Sequence, residues 1–350
     1  MTPQEIIVRN SFAQQAEWCA KLGSMFTSRL VEGLGQQLDR STAAGQKVLD
    51  WPGPPDALGD AVALRLAGAL HGLVRRGRLP GLAQLYPPNR LPQAQTLARA
   101  VLDAIGEADA EIVEWLQFPP QTNEVARSAV LYPGLMLVAQ ETGLPLSLFE
   151  VGASAGLNLF PERFLYRMSD MVFGQPGSPV SLSPQWSGAL PIGPEPAIVS
   201  RRGCDRAPLN VGDAAHRERL VAYVWPDQPD RIARVEGAIE IARASPPRID
   251  AADAADWVDE VIGRDAKAGV ARVLFHSIAY QYFPDASKQR IAARMDAAGQ
   301  AATAEAPLGW LAFEQFEREG PRLTLRVWPG GQERMLARAD AHGRKIEWLV

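Results

Sequence analysis

The residues best suited to chemistry lie in one stretch, Leu146–Asn158, LSLFEVGASAGLN. A short apolar run leads into Gly152-Ala153-Ser154-Ala155-Gly156, where small residues permit a tight strand-to-helix turn. Two chemistries fit this pattern. Read as G-x-S-x-G, the turn exposes Ser154 as a nucleophile on a strained junction. Read from Glu150 as acidic-x-G-x-S-x-G, it passes the backbone close beneath a cofactor, and the Glu150 carboxylate accepts hydrogen bonds from that ligand. A tight turn with no ligand is the third reading.

Residues elsewhere weigh on the choice. A serine hydrolase needs strands and an oxyanion loop before the nucleophile, then an aspartate and a histidine after it. Asp285 with His276 or His342 could complete a triad, but Glu150 has no task in that mechanism. The nearest counterpart of an oxyanion loop, His71-Gly72-Leu73, falls in a helical segment. The cofactor reading finds a carboxylate at each place it needs one. Ile198–Gly203 reads as a strand followed by Asp205, which could hold a ribose diol by accepting both hydroxyl protons. The run PRIDA (247–251) is followed by Asp253, which could meet an adenine amine, and by Asp256, a candidate helix cap. His276 and Tyr280 follow the apolar run ARVLFHSI (271–278) and are the candidate base and pocket residue. Asn123, Glu124 and Arg127 open a helix just before the turn and could reach a substrate. They could equally cap that helix and form one surface ion pair.

The elements that must position these groups change character along the chain. The first 145 residues read as all-α, with apolar residues at three- and four-residue spacing in Ile6–Gly23, Ser24–Asp39, Ala57–Arg75, Ala94–Ile105 and Ala110–Leu116. A helix is expected over Thr122–Gly143, kinked or split at Tyr132-Pro133-Gly134. From Leu146 onward, apolar runs alternate with helices over Asp213–Ala244 and Asp285–Ala298, the pattern of a mostly parallel sheet. Residues 161–196 read as an insertion after the first helix of that domain. RFLYR (163–167) is an alternative second strand, which would make Asp170 the ribose candidate. The last strands, RLTLRVW, ERMLARA and KIEWLV, imply an antiparallel hairpin closing one sheet edge. The expected organisation is a helical domain over 1–145 and an α/β domain over 146–350.

Lys and Arg total 36 and Asp and Glu 40, a net charge of −4 without a basic block. That balance disfavours capture of a nucleic-acid backbone as the main activity. The two cysteines, Cys19 and Cys204, form no metal or disulfide pattern. With no long apolar run and no leader-like N-terminus, the expectation is a cytoplasmic protein without a membrane partner.

The stretches QTNEVARSAVLYPGL, LFEVGASAGLNL, AYVWPDQPDR, DAADW, FHSIAYQYFP, APLGWL, LRVWPGG and DAHGRKIEWL resemble the bacterial domain-of-unknown-function 2332 family, which has no assigned reaction. The region from Leu146 onward also resembles the Rossmann-like fold of class I S-adenosylmethionine-dependent methyltransferases. That likeness implies S-adenosylmethionine as cofactor and a small or medium-sized molecule as methyl acceptor. It implies Glu150, Gly152, Ser154 and Gly156 as the methionine-side turn, Asp205 at the ribose and Asp253 near adenine. Ser154 stands where the middle glycine is commonest, and the segment before the second strand is unusually long. A serine hydrolase using Ser154 and a non-catalytic binding module are the alternatives.

Overall fold

A computed structural model describes residues 1–190, 193–263, 266–316 and 319–350. Its chain forms two compact units, Met1–Thr122 with Ala214–Ala233, and Asn123–Asp213 with Arg234–Val350. The first division thus falls after Thr122 and not at 145/146, and the first unit recovers a later segment of chain. Among the described residues no helix is long and apolar enough to cross a membrane.

The first unit contains helices and no strand among its described residues: α1 (Pro3–Lys21), α2 (Met25–Gln37), α3 (Ala43–Leu49), α4 (Val62–Arg75), α5 (Pro80–Ala83), α6 (Ala94–Glu107) and α7 (Asp109–Trp115). Local chemistry starts several of them. Thr2, Ser24 and Thr42 each accept a backbone N–H at an N-cap. The apolar stripes of α1, α2, α4 and α6 meet in one core that also takes in Ala222 and Tyr223. A Cβ on Gly68 would lie 2.5 Å from the Tyr223 ring, so glycine there lets the later segment seat against α4. The Trp115 indole N–H donates to the Tyr223 hydroxyl (3.2 Å), which donates to the Phe118 carbonyl (2.9 Å).

The second unit opens with a short 3-10 turn, Val125–Arg127, and α8 (Ser128–Thr142). This helix is not split at Pro133, which lies inside it. Packing outweighs the lost N–H: Tyr132 stacks on Tyr166 with ring centroids 4.6 Å apart, and Gly134 lets Leu311 come close. The strands in chain order are β1 (Leu146–Val151), β2 (Leu165–Met168), β3 (Met171–Gly174), β4 (Ser181–Leu182), β5 (Gln185–Ser187), β6 (Ile198–Asp205), β7 (Arg248–Ala251), β8 (Ala271–Ser277), β9 (Leu308–Phe316), β10 (Gly320–Trp328), β11 (Arg334–Ala339) and β12 (Lys345–Trp348). Of the later helices, α9 (Ala214–Ala222) belongs to the first unit, α10 (Pro229–Ala244) begins in the first unit and continues in the second, and α11 (Ala254–Gly263) and α12 (Asp285–Gln300) lie in the second.

The large sheet runs β5-β12-β11-β10-β9-β8-β1-β6-β7. The block β7-β6-β1-β8-β9 is parallel, and β9 through β12 pair antiparallel. The C-terminal strands therefore form a meander, and the edge beyond it is β5, delivered by the 161–196 segment and parallel to β12. The same segment contributes the separate sheet β3-β2-β4, so RFLYR is no neighbour of β1.

Strand alternation assigns the faces. Leu274, Val151 and Cys204 join a core with Trp257 of α11 and Met295 of α12. The intervening residues Val273 and Leu311 lie toward α8. Glu150, Gly203 and Asp205 have this second parity, whereas His276 shares the α11–α12 side with Trp310.

Candidate active site at the glycine turn

Glu150 is the next-to-last residue of β1, the middle strand of the parallel block, opposite Gly203 of β6 and Phe275 of β8. Its side chain is 2 % exposed, and its Oε2 atom has no hydrogen-bond partner. Burial, reinforced by the neighbouring Asp205 charge, pushes its carboxyl well above the usual range, with Arg127 acting in the opposite sense.

The turn beyond Glu150 is conformationally demanding. Gly152, Ser154 and Gly156 have φ of +69°, +53° and +70°. A Cβ on Gly152 would come 2.5 Å from Ala279 Cβ, and one on Gly156 would come 2.7 Å from Ile249 Cδ1. Glycine serves both the left-handed backbone and the close approach at these two positions. The expected helix does not follow. Leu157–Leu159 makes a single 3-10 turn, because Pro161 drives Phe160 out of the helical region (φ −117°, ψ 39°).

Polar side chains tie the turn down. Ser154 N–H donates to Asp205 Oδ2 (2.9 Å), and Ala207 N–H donates to Asp205 Oδ1 (3.0 Å). Each oxygen keeps a lone pair, so Asp205 can brace the turn and still accept from a ligand. Asn123 Oδ1 accepts from Leu157 N–H (2.9 Å), Ser128 Oγ meets Asn158 Oδ1 (2.8 Å), and Asn158 Nδ2 donates to the Glu124 carbonyl (3.3 Å). Arg127 donates to the carbonyls of Ser277 (3.0 Å) and Ala341 (2.9 Å). Asn123, Glu124 and Arg127 thus stand at the turn and at the end of β8. Glu124 also caps the 3-10 turn that opens this helical segment, its Oε1 accepting from Ala126 N–H at 3.2 Å, so the capping expected of this stretch is present.

Two expectations are corrected by these contacts. His276 is 1 % exposed, with Nδ1 2.8 Å from Glu314 Oε1 and Nε2 accepting the Trp310 indole N–H at 3.0 Å. That indole bond fixes the tautomer with hydrogen on Nδ1 and leaves no lone pair for a substrate proton. The ring is a support beneath the β8 loop, on the face opposite Glu150. Tyr280 stacks on it at 4.6 Å and donates its hydroxyl to the Lys288 carbonyl (2.8 Å), and burial lifts its pKa to about 12. Asp253 accepts from Ala255 N–H (2.9 Å) and so caps α11. Asp256, the residue expected to cap, instead pairs with Arg290 at 2.8 Å.

Sequence reasoning missed Glu314. Its carboxylate accepts from the N–H groups of Ala279 (3.0 Å), Tyr280 (3.1 Å) and Gln281 (3.3 Å), besides His276. Burial works against its charge, but these donors outweigh it and hold the carboxyl below the usual range. The signal for it was an acid at an inward position of β9, which is costly unless several donors meet it.

The turn, the acids at the ends of β1 and β6, and the β8 loop all lie at the carboxyl ends of parallel strands. Order reverses there between β1 and β8, the place where open α/β sheets bind ligands. No curated protein and no solved structure matches the chain. One family does, described as "Uncharacterized protein conserved in bacteria (DUF2332)", over residues 9–348, and the chain belongs to that family.

Proposed function

We propose that the sheet unit binds S-adenosylmethionine and transfers its methyl group to a small or medium-sized acceptor. The observation that carries this reading is Glu150: a buried carboxyl near the carboxyl end of β1, just before a glycine turn, whose Oε2 has no hydrogen-bond partner. An ammonium such as that of a methionine moiety would satisfy that oxygen. The order β7-β6-β1-β8-β9 is 3-2-1-4-5 among the parallel strands, the arrangement of dinucleotide-type sheets, and supports a Rossmann-like assignment.

The residues present fit the cofactor unevenly. Glu150 suits the ammonium, the turn from Gly152 to Gly156 offers close backbone, and Asp205 retains acceptor capacity for ribose hydroxyls. Asp253 serves α11 first. When bound, the cofactor supplies an electrophilic methyl on its sulfonium. The chain's contribution is positioning: the Asn123 and Asn158 bonds hold the turn, and Glu314 holds the loop opposite it. His276 supplies no base, so acceptors without a proton to lose at the reacting atom suit this site best.

Ser154 keeps a second reading in view, since its positive φ is the kind of strain a nucleophilic turn carries. The engaged nitrogens of His276 count against it. Thermal unfolding with about 1 mM S-adenosylmethionine or S-adenosylhomocysteine separates the two. A rise in melting temperature is expected, because a ligand that binds only the folded chain stabilises it. The rise should vanish in Glu150→Ala. No shift for either ligand, with a known methyltransferase responding alongside, would overturn the reading. Covalent labelling by a fluorophosphonate that Ser154→Ala abolishes would establish the hydrolase instead.

A further inference from the structure

At the opposite, amino-terminal ends of β6 and β7 lies a cavity of about 850 Å³, bounded by the Gln175–Pro179 turn and the end of α10. Among the described residues its lining holds three arginines, Arg163, Arg201 and Arg248, and no aspartate or glutamate. In a chain of net charge −4, that local balance is unusual. Nearby acids neutralise it only in part. Glu162 is shared between Arg201 (2.9 Å) and Arg163 (3.4 Å), and Asp250 is shared between Arg202 (2.6 Å) and Arg248 (3.0 Å). Arg202 also reaches Glu260 (3.5 Å), so the shortage of acid is at Glu162, which serves both Arg163 and Arg201.

Arg201 is the centre of the arrangement. Its guanidinium lies over the Phe160 ring at 4.5 Å, one terminal nitrogen donates to Glu162, and the other, Nη1, is buried without an acceptor. Arginines able to approach one oxyanion with paired N–H groups are the usual means of recognising phosphate, and the hydroxyls of Ser178 and Ser245 add donors. Gln175 and Ser200 are further polar groups in the lining, Val199 and Ile241 supply apolar surface, and the volume suits a small organic ligand.

We infer that this cavity binds a small organic phosphate, its oxyanion among Arg163, Arg201 and Arg248 and its apolar body along Val199 and Ile241. The site is independent of the glycine turn and of the reaction proposed there. Isothermal titration of the full chain with phenyl phosphate and with inorganic phosphate, at low ionic strength, tests it. Phenyl phosphate should bind more tightly than inorganic phosphate, and salt should weaken both. Arg201→Gln should weaken binding at least tenfold. Because that change also strips Glu162 of a partner, the second variant is Arg163→Gln with Arg248→Gln, whose side chains are 59 % and 69 % exposed and whose loss spares the core. It too should weaken binding at least tenfold. No binding at millimolar ligand, or unchanged binding in the double variant, would overturn the site, and equal affinity for the two ligands would overturn the organic-phosphate assignment.

Discussion

The buried Glu150 carboxyl ties stability to pH. An acid raised in the folded state is neutral in both states below its ordinary pKa of 4.5, so burial carries no ionisation cost there. As pH rises above that value the unfolded chain releases the proton while the folded chain retains it. Stability therefore falls with rising pH until the folded value is passed. Glu150→Gln removes the titration and keeps the shape. Its melting temperature relative to the native chain should be flat near pH 4 and rise steadily toward neutrality. A difference independent of pH would mean that Glu150 is already ionised in the fold. A cationic ligand reverses the preference, so affinity for S-adenosylmethionine should increase with pH over the same window.

The loop after β8 is an element held by one residue from another strand. Glu314 on β9 gathers three consecutive backbone N–H groups, and Ala279 in that loop packs directly against Gly152. Removing the carboxylate in Glu314→Ala strands those donors and should cost on the order of 3 kcal/mol. Hydrogen exchange provides the local readout: amides of Ala279, Tyr280 and Gln281 should lose protection well before those of β1 or β9. Unchanged protection would show that packing alone holds the loop. The strands around it were readable because short apolar runs bounded by glycine and proline are local signals. The missing helix after Gly156 was written locally as well, in Pro161, but the glycine template masked it.

At the scale of the molecule, the first unit is made from two stretches of chain. Met1–Thr122 by itself lacks Ala222 and Tyr223, both buried in that core. The Tyr223 ring fills the space over Gly68 and bonds Trp115, so its absence leaves a cavity lined by Trp115. A 1–122 fragment should therefore lose roughly 3–5 kcal/mol, as expected for deleting a buried aromatic, and melt with poor cooperativity. A peptide covering 212–235 should restore a cooperative transition in near-ultraviolet circular dichroism. A fragment that melts equally sharply without the peptide would show that the later segment is dispensable.

The sequence by itself determined the strands at LSLFEV, AIVSRRG, PRIDA, ARVLFHSI and GWLAFEQF, the helices before them, and the acid and small residues of the glycine turn. All of these are written in near neighbours, as periodicity, caps and turn residues. Tertiary structure alone decided that β5 crosses to the far edge of the sheet, that 214–233 packs with the N-terminal helices, and that Asp253 caps while Asp256 pairs. It also put His276 and Glu150 on opposite faces. Face follows from strand register, and register is set by partners far away in sequence. The turn pointed to a candidate site, and only the packed sheet engaged both nitrogens of His276 within the protein and left Glu150 Oε2 without a partner.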